Sequence, residues 1–117
     1  MLMTSDYLAI GKDKTVKEVL QSLKNSDLDR SSISYFYIVN PEDNALLGVI
    51  DLRELVVAAD DTILSDIMVY PVVTAEEDDI RDEMEDLFEK YHYKMIPVVD
   101  RNDKLLGVIK DKDIMIE

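Results

Sequence analysis

The apolar run Leu46 to Ile50 (LLGVI) returns unchanged as Leu105 to Ile109, 59 positions further on. Each copy is short and unbroken by a polar residue, the pattern of a buried strand. Each then turns polar and resumes at helical spacing, with Leu52, Leu55, Val56 and Ala59 in the first copy and Ile114 after Asp111 in the second. Gly48 and Gly107 lie inside these runs, where a missing side chain marks the close approach of another backbone or a ligand. The echo extends upstream, since Phe36-Tyr37-Ile38-Val39-Asn40 answers Ile96-Pro97-Val98-Val99-Asp100. The pattern predicts one αβ unit written twice, over residues 1–61 and 62–117.

Within the first unit, Met3 to Ile10 reads as an extended lead-in and Gly11 to Lys14 as a turn. Thr15 followed by Glu18 is a capping box, and Val16, Val19, Leu20 and Leu23 form one helical face that should end near Asn25. A polar loop to Ser32 leads to a strand over Ile33 to Asn40, a hairpin turn at Pro41 to Asn44, the strand Leu46 to Ile50 and a helix over Leu52 to Ala59. In the second unit, Leu64 to Met68 opens the repeat and Pro71 to Thr74 leads in. A helix from about Asp79 to Tyr91 carries Ile80, Met84, Leu87, Phe88 and Tyr91 on one stripe. Asp82, Glu83, Glu85, Asp86 and Glu89 hold the rest of its circumference. Tyr93 to Asp100 and Leu105 to Ile109 make the second hairpin. A last helix begins near Asp111 and is cut at Glu117, which suggests that the natural chain continues.

Composition narrows the function classes. At 117 residues and 47% hydrophobic, the chain suits one domain or two intertwined halves sharing a core. It has no cysteine, hence no disulfide, zinc-thiolate site or thiol nucleophile. No apolar run approaches the roughly 18 residues of a membrane span, and Met1-Leu2-Met3 is too short for a signal peptide, so this piece should not itself insert into a bilayer. The net charge is −13, with −4 on residues 1–60 and −9 on residues 61–117. Nucleic acid and anionic lipid reward clustered Lys and Arg and are poor partners; cations or a basic protein surface are better ones. His92 is the one histidine, no nucleophile–base pair can be named, and no Gly-rich phosphate loop follows a strand. The chain does not read as an enzyme.

A hairpin followed by Gly-apolar-apolar-x-x-x-acid, twice in one short chain, resembles a tandem cystathionine-β-synthase (CBS) domain pair, or Bateman module. The opening Leu2-Met3-Thr4, Tyr7 to Ile10 and Thr15 to Leu20 is similar to the cytosolic CBS region of MgtE-type magnesium transporters. So are Tyr37-Ile38-Val39, Leu52-Arg53-Glu54-Leu55, Ala59-Asp60, Ile67-Met68, Tyr91 and Ile96 to Asp100. The resemblance implies an α/β fold of two pseudo-twofold-related βαββα-type units, with two pairs forming a homodimer. It also implies a regulatory role at the cytoplasmic face: sensing intracellular Mg²⁺ through acidic surfaces and gating a membrane pore. Its partners would be an acidic N-terminal domain and a membrane domain, both outside this chain.

Two ligand sites follow from the same resemblance. For ATP or another adenosine nucleotide they are Arg53, Glu54 and Tyr93, with Tyr93 offering its ring to adenine and the acid accepting the ribose hydroxyls. Asp113 is the acid of the second copy. The hydroxyl that meets phosphate in the family is replaced by Asp51, which would repel it, and by Lys110, which would attract it. For Mg²⁺, held weakly through one or two carboxylates and retained waters, the matching positions are Asp82, Asp113 and the carbonyl region of Glu89; His92 replaces an aspartate there. The plain alternatives are helix first-turn acids favoured by the macrodipole, a rim tyrosine and a solvated acidic face. The functional rival is an adenosine-nucleotide-sensing module unrelated to ion transport.

Overall fold

A computed structural model describes residues 3–28, 33–78 and 81–115; the side chains of 81–83, 114 and 115 lie outside that description. The first unit runs β1 (Leu8–Gly11), α1 (Val16–Lys24), β2 (Tyr35–Val39), β3 (Leu46–Asp51) and α2 (Leu52–Val57). The second runs β4 (Ala75–Glu76), α3 (Arg81–Tyr91), β5 (Met95–Val99), β6 (Leu105–Lys110) and α4 (Asp111–Met115). Each unit holds a three-stranded sheet, β1-β2-β3 or β4-β5-β6. Within each, the first pair is parallel and the second antiparallel. The two βαββα units are therefore present as the repeat predicts.

Local chemistry starts the first unit. Thr15 caps α1, and its side chain and that of Glu18 satisfy each other's backbone N–H groups. Two further N–H groups at that helix start, Val16 and Lys17, donate to Thr62 and Asp60 carbonyls at 2.9 and 3.0 Å. Those carbonyls explain a difference from the sequence reading, which carries α2 on to Ala59. The helix stops at Val57 and Ala58 turns extended, because the chain beyond it completes the N-terminus of α1 instead of continuing its own ladder. So short a helix turns only Leu52 and Leu55 inward, and Leu55 is fully buried. Val56, expected on the inner face, is 67% exposed and Val57 81%.

Among the described residues, three clusters form the interior. Val16, Val19, Phe36, Ile38, Ile50, Leu55 and Leu64 make the first core, with Ile67 and Met68 packed against it, so the segment leading into the second unit lies on the first. Ala75, Met84, Phe88 and Ile96 make the core of the second unit. Between the units sit Tyr37, Val39, Met95, Leu105 and Val108.

The halves are also tied through backbone. Thr4 exchanges both hydrogen bonds with Val108, at 2.8 and 3.0 Å, and Val69 does the same with Val49, at 2.9 and 3.0 Å. Each sheet is thus extended by one residue from a lead-in segment. The hairpin turns clasp as well: Leu46 N–H donates to the Asp103 carbonyl and Leu105 N–H to that of Asn44. Asn44 and Asp103 both take the left-handed conformation, φ 62° and 63°, which Asn and Asp tolerate better than most residues. Gly48 and Gly107 lie under the two lead-ins. A Cβ on Gly48 would stand 2.6 Å from Met68 Sδ, and one on Gly107 2.5 Å from Met3 Cγ and 2.9 Å from the Thr4 carbonyl oxygen. The close approach expected at both glycines is met by protein.

Candidate functional site: an aromatic cleft and an acidic face

A cleft of about 70 Å³ opens between the units, lined by Tyr35, Tyr37, Val49, Val69, Pro71, Val72, Val73, Tyr93, Met95 and Pro97. Three tyrosines give it a mostly apolar, π-rich wall. Tyr93 enters through a chain reversal. His92 takes φ 58° after the last turn of α3, and its N–H donates to the Phe88 carbonyl at 2.8 Å. The Tyr93 ring then meets Tyr35 edge-on at 5.9 Å and stacks on Tyr91 at 5.6 Å with 4° between planes. Burial pushes the phenols of Tyr35 and Tyr37 above the ordinary tyrosine value. Both wall rings stay neutral across the physiological range.

Of the sequence-named nucleotide residues, Tyr93 lines this cleft. Arg53 and Glu54 stand exposed in the first turn of α2. They connect to the cleft through Tyr35, whose partner across the hairpin is Asp51. Asp51 caps α2, accepting from Arg53 N–H at 2.7 Å, while its other oxygen lies 3.3 Å from the Arg53 guanidinium. The guanidinium first, then the backbone N–H, hold the Asp51 carboxyl below the usual range. A depressed folded pKa contributes stability above the unfolded value of about 3.9 that is lost as pH falls through the folded one. Asp51→Ala is expected to lower stability by about 1 kcal/mol at pH 7. Thermal melts of both proteins should show the gap closing as pH falls below the ordinary carboxylate value of about 3.9; a gap that widens in acid contradicts this.

The reading of Lys110 as a lure for phosphate needs correction. Its side chain is buried, at 4% exposure, and its Nζ lies 2.6 Å from Asp6 Oδ2. Its charge already has a carboxylate partner 104 positions away in sequence, a pairing that local spacing does not reveal. Tyr35, Tyr37 and Pro71 line the candidate cleft, and sequence reasoning missed them. The i, i+2 spacing of Tyr35 and Tyr37, which puts both rings on one strand face, was the available signal.

The acidic face is carried by α3, where Glu85, Asp86 and Glu89 are all exposed. Asp82 falls in the same helix, but its side chain lies outside the described residues. Asp111 and Asp113 occupy the first turn of α4, which packs against α3. Glu89 and Asp113 are thus on neighbouring helices, and His92 is exposed just beyond them. Among the described residues no group of three or more His, Cys, Asp or Glu could together hold a metal ion. The carboxylates form a surface, not a cage. No helix among these residues is long and apolar enough to cross a membrane.

Two facing α/β units, stapled by exchanged lead-ins around an aromatic cleft, define a tandem α/β module. The chain belongs to the CBS domain family, whose profile matches residues 1–61 and again 64–117. It is similar to the magnesium transporter MgtE of Thermus thermophilus, 36% identical, and of Enterococcus faecalis, 34% identical, each over 97% of this chain and 25% of the relative. The chain therefore spans about a quarter of the length of these relatives. The crystal structure of the cytosolic domain of the Mg²⁺ channel MgtE in complex with ATP matches 98% of this chain and 46% of its own, with a TM-score of 0.91 at 35% identity.

Proposed function

We infer that this chain is the cytosolic regulatory piece of an MgtE-like magnesium transporter, working as a homodimer whose acidic surfaces sense intracellular Mg²⁺ and gate a pore carried elsewhere in the protein. The observation that carries this reading is the exposed carboxylate face of α3 beside the α4 acids, in a chain of net charge −13 without a preformed cage among the described residues. Mg²⁺ keeps several waters and binds through few carboxylates, so an open acidic surface facing a second one suits it. At low Mg²⁺ the facing carboxylates repel each other. Bridging ions relieve that repulsion and favour the compact arrangement, and the shift can be no larger than the ion's differential affinity for the two states.

Raising Mg²⁺ to ~20 mM at constant ionic strength should raise the melting midpoint. For half-saturation near ~1 mM, linkage gives about 2 kcal/mol, which is roughly 5–10 °C for a chain of this size. Small-angle scattering should record compaction, and a Glu85→Gln/Asp86→Asn/Glu89→Gln variant should lose most of both responses. A flat midpoint with an unchanged radius of gyration sinks the reading.

A second reading rests on a different observation, the tyrosine-walled cleft. Its rings offer adenine a stacking surface, and the structurally similar MgtE cytosolic domain is in complex with ATP. On this reading the module senses an adenosine nucleotide, with Tyr93 against the base and Arg53 and Glu54 toward phosphate and ribose. It needs no role in ion transport.

A further inference from the structure

Each lead-in lays a methionine on a glycine. A Cβ on Gly48 would stand 2.6 Å from Met68 Sδ, and one on Gly107 would stand 3.0 Å from Met3 Sδ. The next residue of each lead-in, Val69 or Thr4, exchanges both backbone hydrogen bonds with the residue after that glycine, Val49 or Val108. The two contacts are therefore equivalent under the repeat, and each thioether fills the volume of a missing side chain. Met3 and Met68 are half-buried, whereas Met84 and Met95 are buried at 3% and 1% exposure. With no cysteine in the chain, thioethers are its only sulfur. We propose that Met3 and Met68 are paired sites of oxidation by peroxides, and that their sulfoxides lift the lead-ins off the two sheets and loosen the wall of the aromatic cleft.

The chemistry is a two-electron transfer. A sulfur lone pair attacks a peroxide oxygen and the O–O bond breaks. Sulfur is oxidised to the sulfoxide, and hydrogen peroxide is reduced and leaves as water. Reduction by a dithiol returns the thioether: the oxygen leaves as water and the dithiol becomes a disulfide. The sulfoxide is polar where the thioether was apolar, and it needs room and a hydrogen-bond donor. The strand offers neither. Each sulfur already rests against the glycine. The N–H groups next in the two strands, those of Val49 and Val108, are committed to the Val69 and Thr4 carbonyls at 3.0 Å. A polar oxygen pressed into such a contact without a donor is costly, and the lead-in relieves it by leaving the strand. Val69, Pro71, Val72 and Val73, which follow Met68 in the chain, line the aromatic cleft, so lifting that lead-in moves one wall of it.

Hydrogen peroxide on the folded whole chain tests this, read by peptide mass mapping, thermal melts and amide exchange. Met3 and Met68 should each gain one oxygen before Met84 or Met95 gains any, and the melting midpoint should fall by roughly 5–10 °C as they do. Exchange at the Thr4, Val49, Val69 and Val108 amides should speed up. The Lys12 amide, bonded to the Val39 carbonyl of the first sheet, should keep its protection. Methionine sulfoxide reductases with dithiothreitol should restore the midpoint and the exchange rates. The double variant Met3→Leu/Met68→Leu keeps an apolar side chain over each glycine and should melt alike with and without peroxide. Oxidation of Met84 or Met95 in step with Met3 and Met68 overturns the proposal. So does a midpoint within ~2 °C of the untreated chain once both sulfoxides are in place. Exchange that quickens at Lys12 as much as at the four bridge amides overturns it, as does a double variant that peroxide still destabilises. Should that variant fail to fold, the reduction of wild type decides: a fall that is not reversed is damage elsewhere and rejects the two sites.

Discussion

Gly107→Val is expected to lower stability by about 3 kcal/mol, the upper end of what over-packing costs, and to drop the melting midpoint by roughly 10 °C. A first Cβ at this position already stands 2.5 Å from Met3 Cγ and 2.9 Å from the Thr4 carbonyl oxygen. That oxygen accepts from Val108 N–H at 3.0 Å, so the added carbon cannot be relieved by swinging a side-chain tip. The lead-in must lift, and the two bonds between Thr4 and Val108 lift with it. Gly48→Val should behave alike, because Met68 Cβ, fixed to the backbone, would lie 2.9 Å from the new carbon. Gly11→Ala supplies the contrast: there a Cβ meets Pro41 at 3.7 Å, an ordinary contact, and the change should stay within about 0.5 kcal/mol. Thermal melts of the three variants decide it. A Gly107→Val chain that melts within ~2 °C of wild type would mean that the lead-in does not hold the second sheet.

These glycines also show how far the sequence could be read. A gap in an otherwise apolar strand is visible from composition alone, and it announces a close neighbour. Which neighbour is not visible. Met3 and Met68 sit under a spacing of 65, whereas the LLGVI copies repeat at 59, so aligning the strands does not align the straps. Features whose partners are local were legible: the Thr15–Glu18 capping box forms as expected, and Met84 and Phe88 of the α3 stripe are buried. Features settled by distant chain were not. Ala59 satisfies helical spacing, but the carbonyls that follow serve α1 instead. Lys110 reads as a cation facing solvent until Asp6 is brought beside it. The aromatic cleft needs residues from three segments, around 35, 71 and 93, and no window of sequence contains them.

On the proposed nucleotide reading, the same three segments make Tyr93 the position where a single change should act most strongly on binding. Loss of a base–aromatic stack costs about 1–3 kcal/mol, so Tyr93→Ala should weaken ATP by roughly 5- to 150-fold, while Tyr93→Phe keeps the ring and most of the affinity. Tyr91→Ala separates the cleft from its surroundings. Its ring stacks on Tyr93 at 5.6 Å without lining the cleft, so its removal should cost only a few-fold by loosening the neighbour. Arg53 is already engaged by Asp51, which leaves it less charge to offer a phosphate. Arg53→Ala should therefore weaken ATP more than AMP, yet less than Tyr93→Ala weakens either. Glu54→Ala, which removes the proposed ribose acceptor, should weaken both nucleotides equally. Calorimetry on folded variants ranks these effects. Should Tyr91→Ala and Tyr93→Ala weaken ATP alike, the stacked pair acts as a unit outside the cleft; should neither matter, adenine is not held by this wall.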